Sequence, residues 1–124
     1  MKVRLKDGLP YVEVSLTYRG RQITFENVLL DTGSDGAIFS ADRVLAIGLH
    51  LEPNDFIHRI RGIGGAEFVF TKPLDRLTLG PLSVTDFEIE VGAMDYGVDM
   101  DGIVGMDFML QVGAKIDLAQ LEIY

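Results

Sequence analysis

Val28-Leu29-Leu30-Asp31-Thr32-Gly33-Ser34 carries an apolar strand straight into an ionisable side chain and a small-residue turn. Ile23-Thr24-Phe25 precedes it and Ala37-Ile38-Phe39 follows, and both read as strand. Asp31 is therefore expected at the tip of a buried strand. A carboxylate there is costly unless it is paired, hydrogen-bonded or used. An ordinary turn aspartate or a helix cap is the bland alternative.

Outward from this turn, short strands and turn signals alternate. Val3 to Leu5 reads as a strand and Asp7-Gly8-Leu9-Pro10 as a turn. Tyr11 to Tyr18 alternates, with Val12, Val14 and Leu16 on one face and Glu13, Ser15 and Thr17 on the other. Arg19-Gly20-Arg21 connects it to a return strand from Gln22. Beyond the Asp31 turn, Ser40 or Asp42 is placed to cap a short helix over Ala41 to Ile47, which Gly48 would end. Phe56 to Ile60 and Glu67 to Phe70 are strands on either side of the glycine-rich Arg61-Gly62-Ile63-Gly64-Gly65-Ala66. Leu74 to Leu79 and Leu82 to Val91 alternate about Gly80-Pro81, with Val84, Phe87, Ile89 and Val91 inward. Asp101-Gly102-Ile103-Val104-Gly105 is a second buried turn, followed by a short helix from Met106 that ends near Gly113. Lys115 to Leu118 and Leu121 to Tyr124 close the chain as strands. The pattern predicts an all-β domain, a small closed barrel or sandwich, with parallel βαβ units disfavoured.

Composition narrows the function classes. The chain of 124 residues fits one domain, 1–124, and its 48% hydrophobic content fits a globular core. It has no cysteine, which excludes disulfides, thiolate nucleophiles and zinc–thiolate sites. A net charge of −8 argues against nucleic acid. No apolar run approaches membrane-spanning length, and Met1 to Asp7 lacks a signal-peptide apolar region, so the expectation is a cytoplasmic protein with no membrane partner. Arg61 to Ala66 lacks the Gly-Lys-Ser/Thr ending of a phosphate loop. Asp95, Asp99 and Asp101 do not fit calcium-loop spacing, and Asp95 and Asp99 read as solvated. Asp101 reads as a cap on the turn before Gly105. His50 and His58 have no metal-ligand spacing and read as surface or core-edge residues. No metal and no cofactor is expected.

Taken in order, these signals resemble a family. Asp31-Thr32-Gly33-Ser34 after Leu29-Leu30 resembles the active-site turn of aspartic proteases. The Arg61 to Ala66 hairpin stands where those enzymes carry a flap, and Ile103-Val104-Gly105 before a helix is similar to their hydrophobic–hydrophobic–glycine signature. The run Asp101 to Phe108 looks much like single-domain, retropepsin-like bacterial members. The resemblance implies a small closed β-barrel of the retropepsin type, with one or two short helices and a flap hairpin. It further implies an aspartic endopeptidase active as a homodimer, in which Asp31 of each chain supplies one of two catalytic carboxylates. Thr32 would lock the two turns together, and Gly33 would lie flat against the carboxylates and donate its amide to Asp31. Ser34 would donate to the outer oxygen of Asp31. Arg61, Gly62, Ile63, Gly64 and Gly65 would form the flap over an extended peptide or protein substrate. Residues from Val3 to Leu5 and from Lys115 onward would form the dimer interface. The rival reading is a catalytically weak or inactive dimerisation or peptide-binding module of the same fold.

Overall fold

A computed structural model describes residues 1–62 and 65–124; Ile63 and Gly64, expected at the flap tip, lie outside the described residues. Among the described residues ten strands and two short helices follow in order: β1 (Arg4–Lys6), β2 (Leu9–Tyr18), β3 (Arg21–Leu30), β4 (Ile38–Ser40), α1 (Ala41–Val44), β5 (Ile57–Gly62), β6 (Gly65–Leu79), β7 (Leu82–Gly92), β8 (Gly102–Val104), α2 (Met106–Val112), β9 (Ile116–Asp117) and β10 (Glu122–Ile123).

The first hairpin turns earlier than the sequence suggests. Asp7 and Gly8 both take positive φ, as a two-residue hairpin turn of matching twist requires, so Leu9 and Pro10 already belong to β2. Arg19 and Gly20 repeat the device between β2 and β3. β3 runs unbroken from Arg21 to Leu30, and a bulge between Val12 and Val14 absorbs one residue of register. Tyr11 and Val12 are both buried although they are neighbours, because they face opposite sides of the sheet and enter two different apolar clusters.

The strands β2-β3-β8-β4-β7-β6 are neighbours in that order, and β6 pairs back onto β2 through Arg76 and Thr17. The expected barrel thus takes the form of a closed ring of strands, with β1 and β5 added at its flanks. Most neighbours are antiparallel, but β3 pairs parallel with β8, and β4 parallel with β7. These parallel pairs need no βαβ helix, because β8 slots between β3 and β4, which adjoin in sequence through the Asp31 turn.

Inside the ring lie Val14, Leu16, Val28, Phe39, Leu77, Ile89, Val104 and Phe108, all fully or nearly buried. Phe87 meets Phe108 edge-on, which fastens α2 to β7. A second cluster of Tyr11, Ile38, Val69, Met94 and Met100 packs with Leu29, Ile60 and Ile103. It joins the β5–β6 hairpin to the strands that carry the Asp31 turn. The helix expected over Ala41 to Ile47 is one α turn followed by a 3-10 turn, Leu45–Ile47, ended by Gly48 in the left-handed region. Ser40 precedes it but makes no side-chain cap. α2 begins at Gly105 and stops at Gly113, also left-handed. Among the described residues no helix is long and apolar enough to cross a membrane.

Candidate active site

Asp31 follows the last residue of β3. Its amide donates to the Val104 carbonyl at 3.0 Å, which extends the parallel β3–β8 pairing by one step. The side chain is half-buried, and Oδ1 accepts the Gly33 amide at 2.9 Å. A Cβ on Gly33 would sit 3.1 Å from that same oxygen, so glycine gives the backbone its close approach. The Ser34 amide donates to the Asp31 carbonyl at 3.1 Å and tightens the turn. Thr32 and Gly33 are exposed at its crest.

Ser34 differs from expectation. Its hydroxyl donates to the Gly36 carbonyl at 2.8 Å, two residues on, and the Asp31 carboxylate is left to the Gly33 amide. A serine in a turn satisfies nearby backbone readily, and here that local bond wins.

The second turn explains its glycine. A Cβ on Gly105 would lie 2.7 Å from the Ser34 carbonyl oxygen and 2.8 Å from that of Gly36. The Met106 amide donates to the Ser34 carbonyl at 2.7 Å, and the Asp107 carboxylate accepts the Ala37 amide at 3.1 Å. Ile103 and Val104 sit on β8 beside Leu29 and Leu30. Residues 103–107 thus form the floor that holds the Asp31 turn.

The β5–β6 hairpin stays paired up to Gly62 opposite Gly65, with Arg61 exposed opposite Ala66. Glu67 is not a free charge. It accepts the Tyr96 hydroxyl and, at 3.4 Å, the Met94 amide. Burial, followed by the neighbouring Glu67, pushes the Tyr96 hydroxyl well above its ordinary pKa. His58, half-buried, places Nε2 3.1 Å from Glu90 Oε1. An open hollow of about 530 Å³ lies along β7 between Ala37, His58 and Gln111, and no residue from Asp31 to Ser34 lines it. His50 is exposed and donates from Nδ1 to the Gly48 carbonyl.

Two charged clusters escape sequence reading. Asp101, 5% exposed, accepts the Asn27 amide at 3.0 Å and the Arg43 guanidinium. Its own amide and carbonyl bond Asn27 and Ser40, so it ties β3 to β4 rather than only capping the turn before Gly105. Arg43 also holds Asp99 at 2.7 Å, and this hydrogen bond keeps the Asp99 carboxyl below its ordinary range. Asp99 is therefore exposed but paired.

Lys72 is 1% exposed on β6, with Nζ 2.5 Å from Glu52 and 2.8 Å from Asp55. Burial works against its charge, but the Asp55 and Glu52 hydrogen bonds outweigh it and raise its pKa. Hydrogen bonds first from Arg19 and then from Lys72 hold Glu52 at about 2, against an ordinary 4.5. The lowered value means that Glu52 contributes stability fully present above pH 4.5 and lost as the pH falls through about 2. The fall in thermal midpoint between those pH values is expected to be shallower in Glu52→Gln than in the parent chain. Equal slopes in a thermal unfolding series would refute that role.

Residues 14–108 match the family described as Aspartyl protease. The chain belongs to the aspartyl protease family. No curated protein matches the sequence significantly. Among solved structures, the crystal structure of a retropepsin-like aspartic protease from Rickettsia conorii superposes with a TM-score of 0.68 at 20% identity, over 98% of this chain and 93% of that one. At that identity the likeness speaks for the fold: a retropepsin-like fold on which this aspartyl protease family member carries its own side chains.

Proposed function

We propose that this chain is a homodimeric aspartic endopeptidase, with Asp31 of each protomer supplying one of two catalytic carboxylates. The observation that carries the reading is the Asp31 turn. Its carboxylate is held by the Gly33 amide at a half-exposed strand tip, and the sequence contains a single Asp-Thr-Gly. Aspartic peptide hydrolysis needs two carboxylates, so the second comes from a second copy around a two-fold axis.

Two carboxylates brought together cannot both ionise, so the pair shares one proton. Its two macroscopic pKa values belong to the pair and not to either chain. The ionised member takes a proton from a bridging water as that water attacks the scissile carbonyl carbon. The protonated member donates to the carbonyl oxygen as charge develops there, and the departing nitrogen then takes up a proton. No metal or cofactor enters these steps. The exposed Thr32 and Gly33 meet their counterparts at the axis. The β5–β6 hairpin acts as the flap, its backbone pairing with an extended peptide and its closure excluding water. Ile60 and Ile103 near the site favour apolar substrate residues at the cleaved bond, and the hollow beside Gly36 offers room for a further side chain.

Cleavage of an unstructured peptide library, followed against chain concentration and pH, tests this reading. Activity per chain is expected to rise with concentration and to be higher below neutral pH, where partial protonation eases repulsion between chains of −8 each. Constant activity per chain down to concentrations at which sedimentation finds only monomers would overturn it.

A further inference from the structure

Opposite residues in an antiparallel pair share a face, so His58, Ile60, Glu67 and Val69 line one side of the β5–β6 hairpin. Val69 is buried there, while Phe68, on the other side, is 71% exposed. Ile60 and Val69 pack into the second apolar cluster with Tyr11, Ile38, Met94 and Met100. Apolar burial holds the hairpin down but has no direction, so it does not fix where the hairpin rests. The two polar residues on the same side do. His58 Nε2 reaches Glu90 Oε1 on β7 at 3.1 Å. Glu67 takes two bonds from the segment that follows β7, one from the Tyr96 hydroxyl and one from the Met94 amide at 3.4 Å.

That segment, residues 93–101, runs from the hairpin to the strands of the Asp31 turn. It leaves β7 at Gly92, where an added Cβ would lie 2.9 Å from Val69 Cγ1 and 3.4 Å from Glu67 Oε2. β7 therefore meets the hairpin through bare backbone. Two residues on, Met94 takes a φ of 54°, a left-handed conformation unfavourable for a residue with a side chain. It is held from both ends: its side chain is buried in the second cluster, and its amide donates to Glu67. At the far end of the segment Arg43 holds Asp99 and Asp101, and the Asp101 amide bonds the Asn27 carbonyl. Gly102 then opens β8, whose Val104 carbonyl takes the Asp31 amide. The segment is thus anchored at one end beside the Asp31 turn and in its middle on the β6 arm of the hairpin. Tyr96, 40% exposed, and the half-buried Glu67 both stay within reach of water, so their bond can open and re-form without disturbing the core.

We propose that Glu67 and Tyr96 are positioning residues for peptide hydrolysis: their hydrogen bond latches the β6 arm of the hairpin to residues 93–101 and sets the hairpin over the Asp31 turn before a peptide arrives. This rests on the peptidase reading above and deepens it. Neither residue touches the reacting atoms. The latch raises the fraction of chains whose hairpin is already in place, and apparent affinity for peptide follows that fraction. Once the peptide is bound under the hairpin, the chemistry is the same with or without the latch.

Tyr96→Phe keeps the ring and removes the hydroxyl. It is expected to raise KM for a peptide by about three- to tenfold, the contribution of one hydrogen bond, with kcat within about twofold of the parent. Glu67→Ala should raise KM further, because the Met94 amide loses its acceptor as well. Glu67→Gln keeps an oxygen for the Tyr96 hydroxyl and should lie closer to the parent than Glu67→Ala. Hydrogen exchange gives a readout that needs no activity. In Tyr96→Phe the amides of residues 57–62 and 65–70 should exchange faster by a similar factor, and those of β2, β3 and α2 at parent rates. Parent KM and parent exchange in both Tyr96→Phe and Glu67→Ala would overturn the latch. Faster hairpin exchange at unchanged KM would leave a structural tie only and overturn the positioning role. So would a fall in kcat at parent KM with faster exchange throughout the chain. If hairpin exchange rises as expected but the parent itself cleaves no peptide, the latch stands and the peptidase reading falls.

Discussion

Asp31→Asn is expected to lower peptide cleavage by about a thousandfold or more, with fold and dimer unchanged. Asparagine fills the same space and its side-chain oxygen still accepts the Gly33 amide, so the turn has no reason to move. What it cannot do is take a proton from water. In a dimer the substitution removes both carboxylates at once, because the axis repeats it. Circular dichroism and sedimentation should match the parent, which separates loss of chemistry from loss of structure. Retained cleavage in purified Asp31→Asn would move the chemistry elsewhere.

The second large effect is structural. Gly105→Ala is expected to destabilise the chain by about 2–3 kcal/mol, on the order of 10 °C in thermal midpoint. The new methyl would press on the carbonyl oxygens of Ser34 and Gly36, both backbone atoms. Neither can swing aside as a side-chain end would. Relief requires the whole Asp31 turn to lift from β8, so cleavage should fall along with stability. By contrast, Gly113 has open space around the Cβ position, and there only its positive φ opposes substitution. A thermal midpoint for Gly105→Ala within 2 °C or so of the parent would mean the two turns are not packed as described.

Much of this architecture is legible in the sequence, for reasons that single residues make plain. The alternation from Val12 to Leu16 and from Phe87 to Val91 exposes the sheet faces, because strand side chains alternate and the core is apolar. Glycines at 48, 105 and 113 mark where helices begin or end, because each occupies a left-handed or crowded position. Asp31 stands out because a charge at the end of Val28-Leu29-Leu30 breaks an apolar run.

What stays hidden depends on partners distant in sequence. Lys72 lies in phase with buried Leu74, and its place in the core depends on Glu52 and Asp55, about twenty residues earlier. That phase was the available signal, but alternation alone cannot name the carboxylates that make such a burial tolerable. Asp101 reads as a turn cap until β3 and β4 close around β8 and deliver Asn27 and Arg43 to it. Ser34 shows the reverse case: its position suggests the Asp31 carboxylate as partner, and a nearer carbonyl claims it. The parallel pairings of β3 and β4 leave no periodic mark, since they arise from β8 threading between two strands joined by a short turn.

The central claim is that one active site needs an Asp31 from each of two chains. Mixing tests it directly. Parent chain at fixed concentration is equilibrated with an equal amount of Asp31→Asn, allowing protomers to exchange, and cleavage is measured. If only parent–parent dimers act, random pairing leaves about half the original rate, and a large excess of the variant removes nearly all of it. An unchanged rate, with sedimentation showing that mixed dimers have formed, would mean that a single Asp31 suffices and would contradict the account.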